Sequence, residues 1–87
     1  MFVIVVYDIE QERVNNVNKF LKRFLNWRQN SVFEGNIQES QFEKIKSGIK
    51  ELIDENTDSV YFYILPSDKY LSIEVLGIER NPRENIL

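Results

Sequence analysis

Asp8 closes an apolar run, Phe2-Val3-Ile4-Val5-Val6-Tyr7, in the sequence Tyr7-Asp8-Ile9. A carboxylate at the end of a buried strand stands at the rim of a sheet, next to solvent. There it can serve a hard cation such as Mg²⁺, which takes one or two carboxylates and keeps several waters. Such a cation polarises a phosphate and activates water without an imidazole. That matters because the 87-residue chain has no His and no Cys. The commonest general base, the commonest metal ligand and thiolate chemistry are therefore excluded. Catalysis is left to carboxylates, hydroxyls, basic residues or a metal held by oxygen. A structural reading of Asp8 stands beside this one. With Gln11 three residues on, Asp8 fits the N-cap of a capping box that opens a helix. The two roles are compatible.

The other candidates are weaker. Glu34, in Ser31-Val32-Phe33-Glu34-Gly35, is either a second acid or a solvated turn residue. Ser31 has no His to activate it as a nucleophile. Phe33, Trp27, Tyr61 and Tyr63 read as core or interface aromatics rather than platforms for stacked bases.

Charge is unevenly placed. Eleven basic against fourteen acidic residues give a net charge of −3, which by itself argues against a nucleic-acid binder. From Arg13 to Phe33, however, there is no Asp or Glu, and that span carries Arg13, Lys19, Lys22, Arg23 and Arg28. Lys19, Lys22 and Arg23 fall opposite the apolar stripe of a helix, in company with Asn15, Asn18 and Asn26. Cations and amides together suit phosphate contacts, since amides donate without adding repulsion. The same residues also suit an ordinary solvated helix face.

The elements that must position these residues follow from periodicity. Residues 2–7 read as a strand. Val14, Val17, Phe20, Leu21, Phe24 and Leu25 mark an amphipathic helix over 11–25. Residues 27–33 read as a second strand, Glu34-Gly35-Asn36 as a hairpin turn, and the surroundings of Ile37 as a short strand. Ser40 with Glu43 fits a capping box, opening a helix with the stripe Phe42, Ile45, Ile49, Leu52 and Ile53. Asn56 to Asp58 ends it. Residues 59–65 form a strand stopped by Pro66, and 70–78 suggest a fifth. The order is βαββαβ plus one strand, an α+β, ferredoxin-like antiparallel sheet with both helices on one face. One domain spans 1–87, with a tail from about 79.

Both side-chain parities are apolar in residues 2–7 and 60–65. The sheet therefore requires cover on both faces, and two helices cover only one. A second copy of the chain is the economical cover for the other. The apolar run is far shorter than the ~20 residues of a membrane helix, and no basic segment precedes it. A cytoplasmic protein is expected.

Taken with their order, several segments resemble one known family. They are Val5-Val6-Tyr7-Asp8-Ile9, Arg13-Val14-Asn15-Asn16-Val17, Leu25 to Gly35, Asp58-Ser59-Val60-Tyr61 and Ile78-Glu79-Arg80-Asn81-Pro82. Within the third, Gln29-Asn30-Ser31-Val32-Phe33-Glu34-Gly35 is the most specific. The chain thus resembles the small CRISPR-associated endoribonucleases, the second core protein of spacer acquisition and partner of the CRISPR integrase. The resemblance covers essentially the whole chain. It implies a homodimer whose fifth strand completes the partner's sheet. It also implies that Asp8 is a metal-linked acid, paired across the dimer axis, with Mg²⁺ or another divalent cation as cofactor. Tyr7, Gln29, Asn30, Ser31 and Phe33 support that motif. Implied activities are cleavage of single-stranded RNA or duplex DNA, or a non-catalytic DNA scaffold bridging two integrase dimers, in a prokaryotic cytoplasm. The chain departs from the family pattern at Arg28, before Gln29, where a hydrophobic residue is usual. A regulatory module binding a small molecule is a third class, but no glycine-rich ligand loop supports it.

Overall fold

The structure is a computed structural model and describes residues 1–79. Strand β1 (Phe2–Asp8) leads into helix α1 (Gln11–Leu21), strands β2 (Asn26–Gln29) and β3 (Val32–Asn36), helix α2 (Glu39–Leu52) and strand β4 (Ser59–Leu65). The sheet order is β2-β3-β1-β4, and β1 pairs antiparallel with both neighbours. The ferredoxin-like α+β expectation is met.

Strand parity and helix periodicity meet in one core. Val3, Val5 and Tyr7 of β1 and Phe33 of β3 lie under Val17 and Leu21 of α1 and Ile45 and Ile49 of α2. Alternation sends Phe2, Ile4, Val6 and Asp8 to the opposite face. Cross-strand partners share a face, so Tyr61 and Tyr63, opposite Val6 and Ile4, stand there too.

Several local readings are corrected. The hairpin turn falls at Asn30-Ser31, inside the segment read as one strand, and Glu34-Gly35-Asn36 belongs to β3. Asn30 adopts φ 31°, a left-handed conformation that Asn tolerates. The Trp27 indole N–H donates to the Asn30 carbonyl at 3.2 Å. Gly35 is glycine for packing, not for a turn: a Cβ there would sit 3.1 Å from Leu25 Cδ2. Ile37 forms no separate strand. Its N–H donates to the Met1 carbonyl at 2.9 Å, and its own carbonyl accepts the Met1 ammonium at 3.0 Å.

Helix α1 stops at Leu21 rather than continuing to residue 25. The N–H groups of Arg23 and Phe24 turn back to Phe20 and Leu21, which tightens the last turn while Leu25 still enters the core. Helix α2 starts two residues early, because the capping box is Gln38 with Gln41 rather than Ser40 with Glu43. It ends at Leu52, ahead of Asn56. The N-cap of α1 is Glu10, so the capping reading of Asp8 does not hold; Asp8 remains in the β1 ladder, paired with Ser59.

Residues 68–70 form a 3-10 turn, and 71–79 lie in no helix or strand. The expected fifth strand is therefore not formed among the described residues of one chain. A strand needs a neighbour to satisfy its backbone, and among the described residues no strand pairs with the segment. It passes instead near the second face, where Leu71, Ile73, Val75 and Ile78 line a cavity of about 380 Å³ with Ile4, Arg28, Val32 and Glu34. Residues 80–87, including Arg80, Asn81 and Pro82, lie outside the described part.

Candidate functional site

Asp8 is exposed at the C-terminal end of the central strand β1. On one side lies Ser59, its partner on β4. On the other lies the β2–β3 turn, whose Ser31 carbonyl accepts the Tyr7 N–H at 3.1 Å. Behind it Tyr7 is buried and stacks on Phe33 with ring centroids 6.2 Å apart. The Tyr7 hydroxyl donates to the Asn18 side-chain oxygen, and burial raises its pKa above the usual phenol value. Phe33 is wholly buried, as expected for a core aromatic. Ser31 thus contributes its backbone, and Gln29 and Asn30 shape the end of the hairpin beside Asp8.

The residue that sequence reasoning missed is Asp58. Its carboxylate is buried just ahead of β4 and accepts the backbone N–H groups of Glu10 and Asp54, each at 2.9 Å. It also accepts Arg13 through Nε at 2.6 Å and Nη2 at 2.9 Å. Arg13 further donates to Thr57 Oγ1 at 3.1 Å. The Arg13 bonds, helped by those two N–H groups, hold the Asp58 carboxyl well below the usual carboxylate range, against the opposing effect of burial. The same bond raises Arg13 above its ordinary value. Residues 45 apart in sequence close one end of the molecule, and no periodicity announces such a pair.

The basic residues divide into two groups. Arg13 is held by Asp58. Arg28 lies on the second face, 3.5 Å from both Glu34 and Glu79, so Glu34 is a buried ion-pair partner rather than a solvated turn residue. Lys19, Lys22 and Arg23 are exposed. Arg23 follows α1 and lies over the Phe20 and Phe24 rings, 5.9 and 5.6 Å from their centroids. These three cations, not all five, form the exposed basic surface.

Among the described residues, no three His, Cys, Asp or Glu cluster as a metal cage. Asp8 instead offers oxygen ligation at a solvent-facing strand end, the donor chemistry of a hard cation that keeps its waters. It shares the sheet face opposite the helices with Ile4 and Val6. Among the described residues no helix is long and apolar enough to cross a membrane.

Residues 1–73 match the sequence pattern of the family described as CRISPR associated protein Cas2. The chain is 55% identical over 87 residues, the full length of both, to the CRISPR-associated endoribonuclease Cas2 of Pyrococcus furiosus. It is 54% identical, again over both full lengths, to the protein of that name from Thermococcus kodakarensis. A crystal structure titled as cas2 superposes with a TM-score of 0.88 at 46% identity, covering all of this chain and 98% of the other. Streptococcus pyogenes Cas2 superposes with a TM-score of 0.79 at 36% identity, covering 88% of this chain and all of the other.

Proposed function

The chain belongs to the CRISPR-associated Cas2 family, and from that membership we propose that it is a phosphodiester-cleaving endoribonuclease of spacer acquisition, working as a homodimer with Asp8 at its centre. The observation that carries this reading is the exposed Asp8 at the end of β1, on the sheet face that the helices leave open. The substrate is RNA or duplex DNA, the second macromolecular partner is the CRISPR integrase, and the compartment is the prokaryotic cytoplasm. The exposed Tyr61 and Tyr63 support the dimer, as does the segment 71–79, which finds no strand partner among the described residues. Seated against a second copy, that segment can pair as a strand.

Asp8 would hold Mg²⁺ or another divalent cation, which when bound would polarise a phosphate and activate water, chemistry that a chain without His needs. The protein's own contribution is placement. The β1 ladder fixes the Asp8 backbone through Ser59. The Asp58 carboxylate anchors the chain two residues beyond Asp8 by accepting the Glu10 N–H. Lys19, Lys22 and Arg23 draw the phosphate backbone to the surface, and each neutralised phosphate steepens the salt dependence of binding.

A specific observation favours a second role. The span from Arg13 to Phe33 has no acid and a dimer displays it twice, as a scaffold bridging two integrase dimers on DNA would require. One comparison separates the roles. Purified wild type is expected to cleave in Mg²⁺ and to stop in EDTA, and Asp8→Ala is expected to be inactive in both. Cleavage that survives Asp8→Ala removes Asp8 from the mechanism. Spacer acquisition that survives loss of cleavage assigns the cellular role to the scaffold.

A further inference from the structure

Arg13 opens the acid-free span, and by residue type alone it reads as a phosphate contact. Its surroundings say otherwise. Nε and Nη2 reach the Asp58 carboxylate at 2.6 and 2.9 Å, and Nη2 also donates to Thr57 Oγ1 at 3.1 Å. Nη1 faces the Glu12 carboxylate at 3.7 Å. Each guanidinium nitrogen is thus turned toward an acid or a hydroxyl of the protein. A phosphate approaching Arg13 would meet the carboxylates of Asp58 and Glu12, and like charges so placed repel.

The place of the pair in the fold gives it another role. Asp8 is exposed at the end of β1, so the backbone on its two sides sets where its carboxylate stands. Beside it on β4 is Ser59, the residue after Asp58. Two residues beyond it is Glu10, the N-cap of α1, whose N–H donates to Asp58 Oδ1. Asp58 Oδ2 accepts the Asp54 N–H from the loop after α2. One buried carboxylate therefore joins the β1–α1 connection to the α2–β4 loop, and these two segments flank Asp8. Each Asp58 oxygen takes one backbone N–H and one Arg13 nitrogen. Without Arg13 the buried charge would lose its counter-ion, which is costly. Opening the loop to water would relieve that cost, and it would move the segments that flank Asp8.

We infer that Arg13 is a positioning residue for the Asp8 centre, acting through Asp58 to hold the backbone on both sides of Asp8, and that it is not one of the phosphate contacts. The inference deepens the reading of Asp8 as a metal-linked acid and rests on it. A carboxylate that must meet a cation beside a phosphodiester tolerates little displacement, since misplacement by about 1 Å costs about 100-fold. Lys would serve a phosphate as well as Arg does, but as a point charge it cannot grip both Asp58 oxygens with a planar fork. Arg13→Lys therefore separates the two roles.

The variants are Arg13→Lys, Asp58→Asn and the neutral pair Arg13→Gln with Asp58→Asn, beside Lys22→Gln and Asp8→Ala. Circular dichroism establishes that each is folded, and each is assayed well below its own melting temperature, so that lost stability alone does not register. Affinity for a short labelled RNA is measured in EDTA over a range of salt, Mn²⁺ affinity by electron paramagnetic resonance, and single-turnover cleavage in Mg²⁺. Arg13→Lys, Asp58→Asn and the neutral pair are expected to keep the RNA affinity and its salt slope. They are expected to lose roughly 10- to 100-fold in Mn²⁺ affinity, in cleavage rate or in both. Lys22→Gln is expected to weaken RNA binding and flatten the slope by about 0.7. Arg13→Lys with the Mn²⁺ affinity and cleavage rate of the wild type overturns the inference, as does a neutral pair that flattens the slope as Lys22→Gln does. Either result leaves the Asp8 reading standing. Asp8→Ala that binds Mn²⁺ and cleaves as the wild type does, or a wild type that does neither, overturns that reading and the inference with it.

Discussion

At the scale of single residues, Asp58 ties together more of this chain than any group that sequence reasoning singled out. One buried carboxylate accepts four hydrogen bonds, from the start of α1, from the loop after α2 and from Arg13. Charge-assisted bonds of this kind are stronger than neutral ones. They favour the ionised form and so depress the carboxyl pKa in the folded state. A depressed acid contributes stability that is fully present above its unfolded value, near pH 4, and is lost as pH falls toward the folded one. The melting temperature of the wild type is therefore expected to fall more steeply between about pH 5 and pH 2 than that of Asp58→Asn. Asp58→Asn is also expected to melt lower at neutral pH. Parallel pH profiles for the two proteins would show that the pair does not govern acid stability.

At the scale of elements, the two helices meet through a Phe20–Gly48 contact. A Cβ on Gly48 would sit 2.7 Å from Phe20 Cε1, closer than van der Waals contact allows. Gly48→Ala sets two effects against each other. Replacing Gly by Ala inside a helix gains up to about 1 kcal/mol, while overpacking costs about 1–3 kcal/mol. Phe20 is also held by an edge contact to Phe24 at 5.3 Å, which limits its escape, so the cost is expected to win. A net loss of 1 kcal/mol lowers the melting temperature by about 4–8 °C in a domain of this size. Thermal denaturation at fixed protein concentration checks this, and an unchanged or higher melting temperature would mean that Phe20 moves freely. The helices themselves are legible from their apolar stripes, because the 3.6-residue period is written into the sequence. Their ends are not. The tightened turn after Leu21 and the Gln38–Gln41 cap depend on backbone partners that no stripe records.

At the scale of the whole molecule, the sheet has one face packed under helices and one face bearing Tyr61 and Tyr63, 60% and 54% exposed and mutually stacked. Arg28 and Glu34 lie on that same face as an ion pair, beside the segment 71–79. Light scattering at micromolar concentration is expected to give twice the mass of one chain. Tyr63→Glu, which places a charge on that face, is expected to shift the population to monomer. A monomeric wild type would remove the dimer and, with it, the paired Asp8 site.

The sequence by itself determined the α+β fold class, the two helix stripes, the Asp8 strand end and the family, because strand alternation, helix periodicity and the Gln29 to Gly35 motif are local properties. It also located the acid-free span, since charge order is read directly from the chain. Only the tertiary structure decided which of those charges are spent. Arg13 is held by an aspartate 45 residues away and Arg28 by Glu34 and Glu79, contacts made by the closure of the chain rather than by spacing. It also turned Gly35 from a hairpin signal into a packing position and, of the core and interface readings of Trp27, excluded the buried core. Burial depends on what the rest of the chain brings alongside a residue, and that is fixed only when the sheet order is.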